Sequence, residues 1–105
     1  MFFDFETETE GVHEPYLCRT IDDEGNEECF IGGDCGLKLL ESITEDTMLI
    51  AHNAGYDYKF LIQYLFSVST INRGTGLISC QAKYKNKSSA TVYNIRIKDS
   101  YKLIS

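Results

Sequence analysis

The chain has no run of about 18 apolar residues, so no membrane-spanning helix is expected. Its first residues lack the basic segment and apolar core of a signal peptide. No Pro-rich linker, internal repeat or low-complexity stretch is present. The four cysteines, Cys18, Cys29, Cys35 and Cys80, form no C-x-x-C pair and have no histidine at zinc spacing. Without a secretion signal they are expected to be free thiols in a reducing compartment. His13 sits in a polar stretch and is expected at the surface. Basic residues are nearly missing from the front of the chain, where residues 1–57 hold only Arg19 and Lys38.

What is present is ordinary in bulk and uneven in placement. A hydrophobic content of 43% excludes a disordered tail, and 105 residues allow one domain or part of one. The net charge of −6 hides a split. Residues 1–57 carry 15 acids against two bases (−13), and residues 58–105 carry one acid against eight bases (+7). An acidic half that holds metal beside a basic half that attracts a phosphate backbone suits a nuclease cleft. Chance segregation is the alternative. Lys83, Lys85 and Lys87 at alternate positions are either a solvated strand face or part of a DNA track.

The local patterns predict the element order β-β-β-α-β-α-β-β. Aromatic and β-branched content predicts strands over 2–7, 12–20 and 27–31. The acidic loop Asp22-Asp23-Glu24-Gly25-Asn26 lacks the length and alternation of an EF-hand, and reads as a hairpin turn. A helix follows Gly32-Gly33-Asp34 to about Ile43, with Asp34 as the expected cap and Leu37, Leu40 and Ile43 as its apolar stripe. The apolar run 47–51 reads as a buried central strand. A helix is expected from about Tyr56 to Phe66, with Tyr58, Leu61, Ile62 and Leu65 on one face. Strands over 77–84 and 90–97 are joined by Asn86-Lys87-Ser88-Ser89 as a hairpin.

Two acidic stretches carry the chemistry. In Phe2-Phe3-Asp4-Phe5-Glu6-Thr7 the carboxylates are spaced by two, so a strand points both to one face. Carboxylates inside an apolar run are costly unless something positive pairs with them. His52-Asn53-Ala54-Gly55-Tyr56-Asp57 adds a third carboxylate at a strand-to-helix turn. Oxygen ligands gathered from separate segments are the usual way to hold a pair of hard divalent cations for phosphodiester chemistry. Taken singly, Asp4-x-Glu6 also fits a solvated edge strand, and Asp57 also fits an acid favoured at a helix start.

These stretches resemble the first and second exonuclease motifs of family B DNA polymerases. Asp99-Ser100-Tyr101-Lys102-Leu103 is similar to a later segment of the protein-primed branch, found in phages, adenoviruses, linear plasmids and virus-like mobile elements. The resemblance spans Phe2 to Ile104. It implies an α/β, RNase H-like exonuclease fold, a mixed sheet with flanking helices, incomplete at the C-terminus. Residues 1–105 would then be a partial 3′→5′ exonuclease domain of a DNA-directed DNA polymerase, without its polymerase domain. The implied catalytic and metal residues are Asp4, Glu6 and Asp57, binding two Mg²⁺ or Mn²⁺ ions. Thr7, Asn53, Tyr56, Ser100 and Tyr101 match positions that grip a single-stranded DNA 3′ end. A terminal priming protein is an implied partner. The implied setting is intracellular, at the replication site of a virus, plasmid or mobile element.

The pattern departs from the family at one point. No Tyr is followed four residues on by an acid, so the family's Tyr-x-x-x-Asp motif is missing, as are the polymerase palm motifs. A 105-residue piece of this kind is expected to digest DNA poorly. A stand-alone RNase H-like nuclease fragment and a non-catalytic DNA-binding remnant are the other readings.

Overall fold

Period-two alternation shapes the first strand. In β1 (Phe2–Thr7), Phe3 and Phe5 are buried while Asp4 and Glu6 are exposed. The computed structural model describes residues 1–8, 14–52, 54–73 and 76–100. After β1 come β2 (Pro15–Ile21), β3 (Glu27–Ile31), α1 (Cys35–Ser42) and β4 (Thr47–Ala51). Two single-turn helices follow, α2 (Ala54–Asp57) and α3 (Lys59–Ile62), then β5 (Phe66–Arg73), β6 (Gly76–Lys85) and β7 (Val92–Asp99). His13 lies outside the described residues. Among the described residues, no helix is long and apolar enough to cross a membrane.

The seven strands form one mixed sheet in the order β3-β2-β1-β4-β7-β6-β5. Its centre is parallel, with β4 between β1 and β7. Antiparallel meanders extend it on both sides, β1-β2-β3 and β7-β6-β5. The β2–β3 turn is the expected hairpin. Gly25 has φ +84°, a conformation that costs glycine little. The Asp22 Oδ1 accepts the Glu24 and Asn26 N–H groups, each at 2.9 Å, so this carboxylate is consumed by its own turn.

The core lies on one face of the sheet. Cross-strand partners Phe5–Cys18, Ile97–Cys80 and Ile95–Ala82 are buried. Their neighbours Asp4–Arg19, Arg96–Gln81 and Asn94–Lys83 are exposed on the opposite face. Leu39, Leu40 and Leu61 from the helices close the buried face. Phe2, Ile21 and Met48 are large apolar residues left exposed on the outer face.

Several expectations need correction. Asp34 makes no side-chain cap. Its φ −99°, ψ 21° is not the extended conformation that aims a capping oxygen at the helix, and its carboxylate lies 3.5 Å from the Lys38 ammonium instead. The buried stripe of α1 includes Leu39 and Leu40, with Leu37 only partly buried. The helix expected over 56–66 is broken at Tyr58 and ends at Ile62. From Phe66 the chain is β5, an edge strand exposed from Phe66 through Ile71. β-Branched Val68, Thr70 and Ile71 favour the strand, and full exposure removes the alternation that would reveal it. β2 begins at Pro15, later than the expected residue 12; residues 12 and 13 are outside the described set. β7 starts later, after Ala90 at φ 62°, and runs on to Asp99.

The helical layer is clamped at both ends of α1. At its C-terminal end the Glu41 carboxylate accepts the Tyr84 hydroxyl and the Lys87 N–H (2.8 Å), tying α1 to the β6–β7 turn. At its start Gly36 allows a close approach to α3. A Cβ added there would sit 2.6 Å from the Phe60 carbonyl oxygen. Gly36→Ala is therefore expected to destabilise the protein by about 1–3 kcal/mol through overpacking, against alanine's better helix propensity of about 1 kcal/mol. Urea denaturation checks this; a stability gain would show that α3 gives way freely.

Candidate functional site

The site is built where the parallel strands end. β1 pairs with β4 at Phe2–Ile50, and the Ile50 N–H donates to the Met1 carbonyl at 2.9 Å. Farther along β1, the Phe5 N–H donates to Asp57 Oδ1 at 3.4 Å. The carboxylate from α2 thus takes a strand amide beside β4. On the other side of β4, Asp99 faces Ala51 across the parallel pair, and its Oδ2 accepts the Ala54 N–H at 3.2 Å. Carboxyl ends of parallel strands are where open α/β sheets form ligand crevices.

The electrostatics of this end of the sheet are those of crowded acids. Asp57 is 5% exposed, and its pKa is pushed up to about 6. Burial is the main cause; the Phe5 N–H opposes it, and the charges of Asp4, Asp99 and Glu6 add to it. Asp99 is equally buried at 5%. Beneath them the Cys18 thiol is pushed up to about 12, by burial first and then by the fields of Cys35, Asp57 and Asp4. Burial also raises Cys35 and Cys80, so none of the three buried thiols is an activated nucleophile. All four cysteines are free, as expected.

The structure joins the two acidic stretches. Asp4 and Glu6 act on Asp57 through their charges, and the Thr7 and Tyr56 hydroxyls are hydrogen-bonded at 2.8 Å. The Tyr56 ring meets Phe60 edge-on, with centroids 5.4 Å apart, and the Lys59 ammonium lies 5.4 Å from the Tyr56 centroid. Ser100 lies beside β4, its N–H donating to the Ala51 carbonyl at 2.9 Å. Asn53 and Tyr101 lie outside the described residues. Asp99 is the residue that motif reading kept apart from the carboxylate group. Its signal was its place at the end of an apolar alternating strand, Ile95-x-Ile97-x-Asp99, which points it to the buried face.

Part of the basic half is gathered on one surface, while Lys59 lies by Tyr56. Lys83 and Lys85 project from β6 on the outer face, alongside Arg96, and Asp4 and Glu6 project from β1 on that same face. Lys87 leaves this row. It lies in the turn, with its N–H on Glu41.

The donor set is all oxygen, which suits a hard cation such as Mg²⁺ or Mn²⁺. Among the described residues, however, no group of three or more His, Cys, Asp or Glu side chains is arranged to grip one ion. Two shallow depressions, of about 390 and 380 Å³, lie around the start of β4 and do not touch these carboxylates. The chain matches no protein-family model, no curated protein and no solved structure.

The raised Asp57 pKa has a sign that stability measurements can read. Its folded value lies above the ordinary 3.8, so its contribution is full below about pH 4 and is lost as the pH rises through about 6. Asp57→Asn keeps an acceptor for the Phe5 N–H and removes the charge. It is expected to stabilise the protein by roughly 1–3 kcal/mol at pH 7.5, with little gain at about pH 3.5. Denaturation curves at both pH values test this, and a loss of stability at pH 7.5 would show that the charge is favourably compensated.

Proposed function

We propose that this chain forms part of the 3′→5′ proofreading exonuclease of a protein-primed-type family B DNA polymerase, with an RNase H-like fold. The observation that carries the reading is the hydrogen bond that brings Asp57 to the backbone of β1 between Asp4 and Glu6. Two stretches 50 residues apart, each similar to an exonuclease motif, meet at one end of the sheet and are linked by the Phe5–Asp57 and Thr7–Tyr56 hydrogen bonds. The mixed sheet with helices is the architecture the reading requires.

In this reading Asp4, Glu6 and Asp57 would hold two Mg²⁺ or Mn²⁺ ions. When bound, the ions activate a water and neutralise charge on the attacking and leaving oxygens of the phosphodiester. Thr7 fixes the Tyr56 hydroxyl, and the Tyr56 ring offers a stacking surface to a frayed 3′ base of any sequence. Lys83, Lys85 and Arg96 attract the backbone of single-stranded DNA across the outer face. Asn53, Ser100 and Tyr101 complete the grip, and a terminal priming protein is the partner during replication of a virus, plasmid or mobile element.

A second reading is a DNA-binding module without catalysis. It is favoured by the lack, among the described residues, of a carboxylate group arranged to grip one ion.

Binding to a labelled oligo-dT strand tests the shared part of both readings. Tyr56→Ala is expected to cost about 1–3 kcal/mol of affinity through lost stacking. Lys83→Ala with Lys85→Ala is expected to flatten the salt dependence by roughly one unit of slope, or less, for each lost contact. Unchanged affinity in both variants would remove the DNA reading. Mn²⁺-dependent removal of the 3′ nucleotide, abolished by Asp4→Asn, would separate the exonuclease from the binding module.

A further inference from the structure

The Tyr56 ring is held from several directions. Its hydroxyl is hydrogen-bonded to Thr7 at 2.8 Å, Phe60 meets it edge-on with centroids 5.4 Å apart, and the Lys59 ammonium stands over its face, 5.4 Å from the centroid. Phe60 is packed in turn on the buried Phe5, with ring centroids 5.2 Å apart. Thr7 and Phe60 fix where the ring lies. Lys59 is the contact that can leave: it is exposed, its stem is flexible, and among the described residues no carboxylate lies within ion-pair distance of its ammonium.

A stacking base competes with that ammonium for the ring face. An exposed cation–π contact is worth about two- to fivefold in an equilibrium constant. Stacking of a base on an aromatic side chain is worth about five- to 150-fold, so the base wins. A nucleotide also brings its phosphate toward an end of the sheet where Asp4 and Glu6 are exposed and repel it. The cation tethered beside the ring is Lys59. We propose that Lys59 is a phosphate-binding residue of the single-stranded DNA grip: it caps the Tyr56 ring in the free chain, gives up that face to a base, and moves to the phosphate of the nucleotide that stacks there. This rests on the DNA reading above and needs no metal ion.

Anisotropy of labelled oligo-dT, in EDTA and across a salt series, tests it on the full chain. Lys59→Gln keeps the length of the stem and removes the charge. It should weaken binding about two- to fivefold, as for an exposed charge pair, and flatten the log–log salt slope by about 0.7, one single-strand phosphate. Lys59→Arg should restore both. An all-abasic strand of the same length offers phosphates without bases. At low salt it should bind Lys59→Gln nearly as tightly as wild type, because the ammonium then stays on the ring. Equal losses on the two strands would overturn the exchange and leave only general attraction. Oligo-dT affinity and slope unchanged in Lys59→Gln, with Tyr56→Ala still weakened, would overturn the Lys59 role alone. A wild-type chain that binds neither strand would remove the DNA reading and this role with it.

Discussion

The hydrogen bond from the Phe5 amide to the Asp57 carboxylate is the contact on which the functional end of the molecule depends. It joins the first strand of the chain to a helical turn 52 residues later, and it places a buried acid within the field of two exposed ones. Burial and like charge both oppose ionisation of Asp57, and one amide hydrogen bond only partly offsets them. Folding alone does not reward such an arrangement. Proteins keep electrostatically unfavourable groups where a ligand relieves them, and under the proposed function that ligand would be a divalent cation.

The rest of the fold sets up this contact. The parallel pairing of β4 with β7 carries Asp99 to the start of α2, and the Gly36–Phe60 approach holds α3 against α1. The one-sided core leaves the outer face of the sheet polar and charged. Asp4 and Glu6 lie on β1 and Lys83, Lys85 and Arg96 on β6 and β7, with Arg19 of β2 opposite Asp4. Under the proposed function that layout would give the DNA backbone an attractive flank beside the acids.

Much of this was legible in the sequence because burial imposes a period. Phe3 and Phe5 alternating with Asp4 and Glu6 mark β1, and the run 47–51 marks a central strand, both with the observed bounds, though β4 fully buries only Leu49 and Ala51 and leaves Met48 exposed. Gly25 beside Asn26 marks the hairpin. The two acidic stretches were expected to lie together, and the Phe5–Asp57 and Thr7–Tyr56 hydrogen bonds join them. Illegible features were those that burial does not pattern. β5 is exposed along its described side chains, so Val68 and Ile71 give propensity without alternation. Asp34 has the residue type of a cap without the backbone angles for it. Asp99 belongs to the site through a pairing of β7 with β4 that local sequence does not encode.

The proton affinity of Asp57 tests the central claim most directly. Carboxyl ¹³C signals followed by NMR through a pH titration, with and without Mg²⁺, report it without any assumption about activity. Asp57 is expected to titrate near pH 6 in metal-free protein. Mg²⁺ should lower that value, while the side-chain signals of Asp4 and Glu6 shift in the same titration. An Asp57 that titrates near the ordinary 3.8, with Mg²⁺ perturbing only the turn around Asp22 to Glu28, would contradict it.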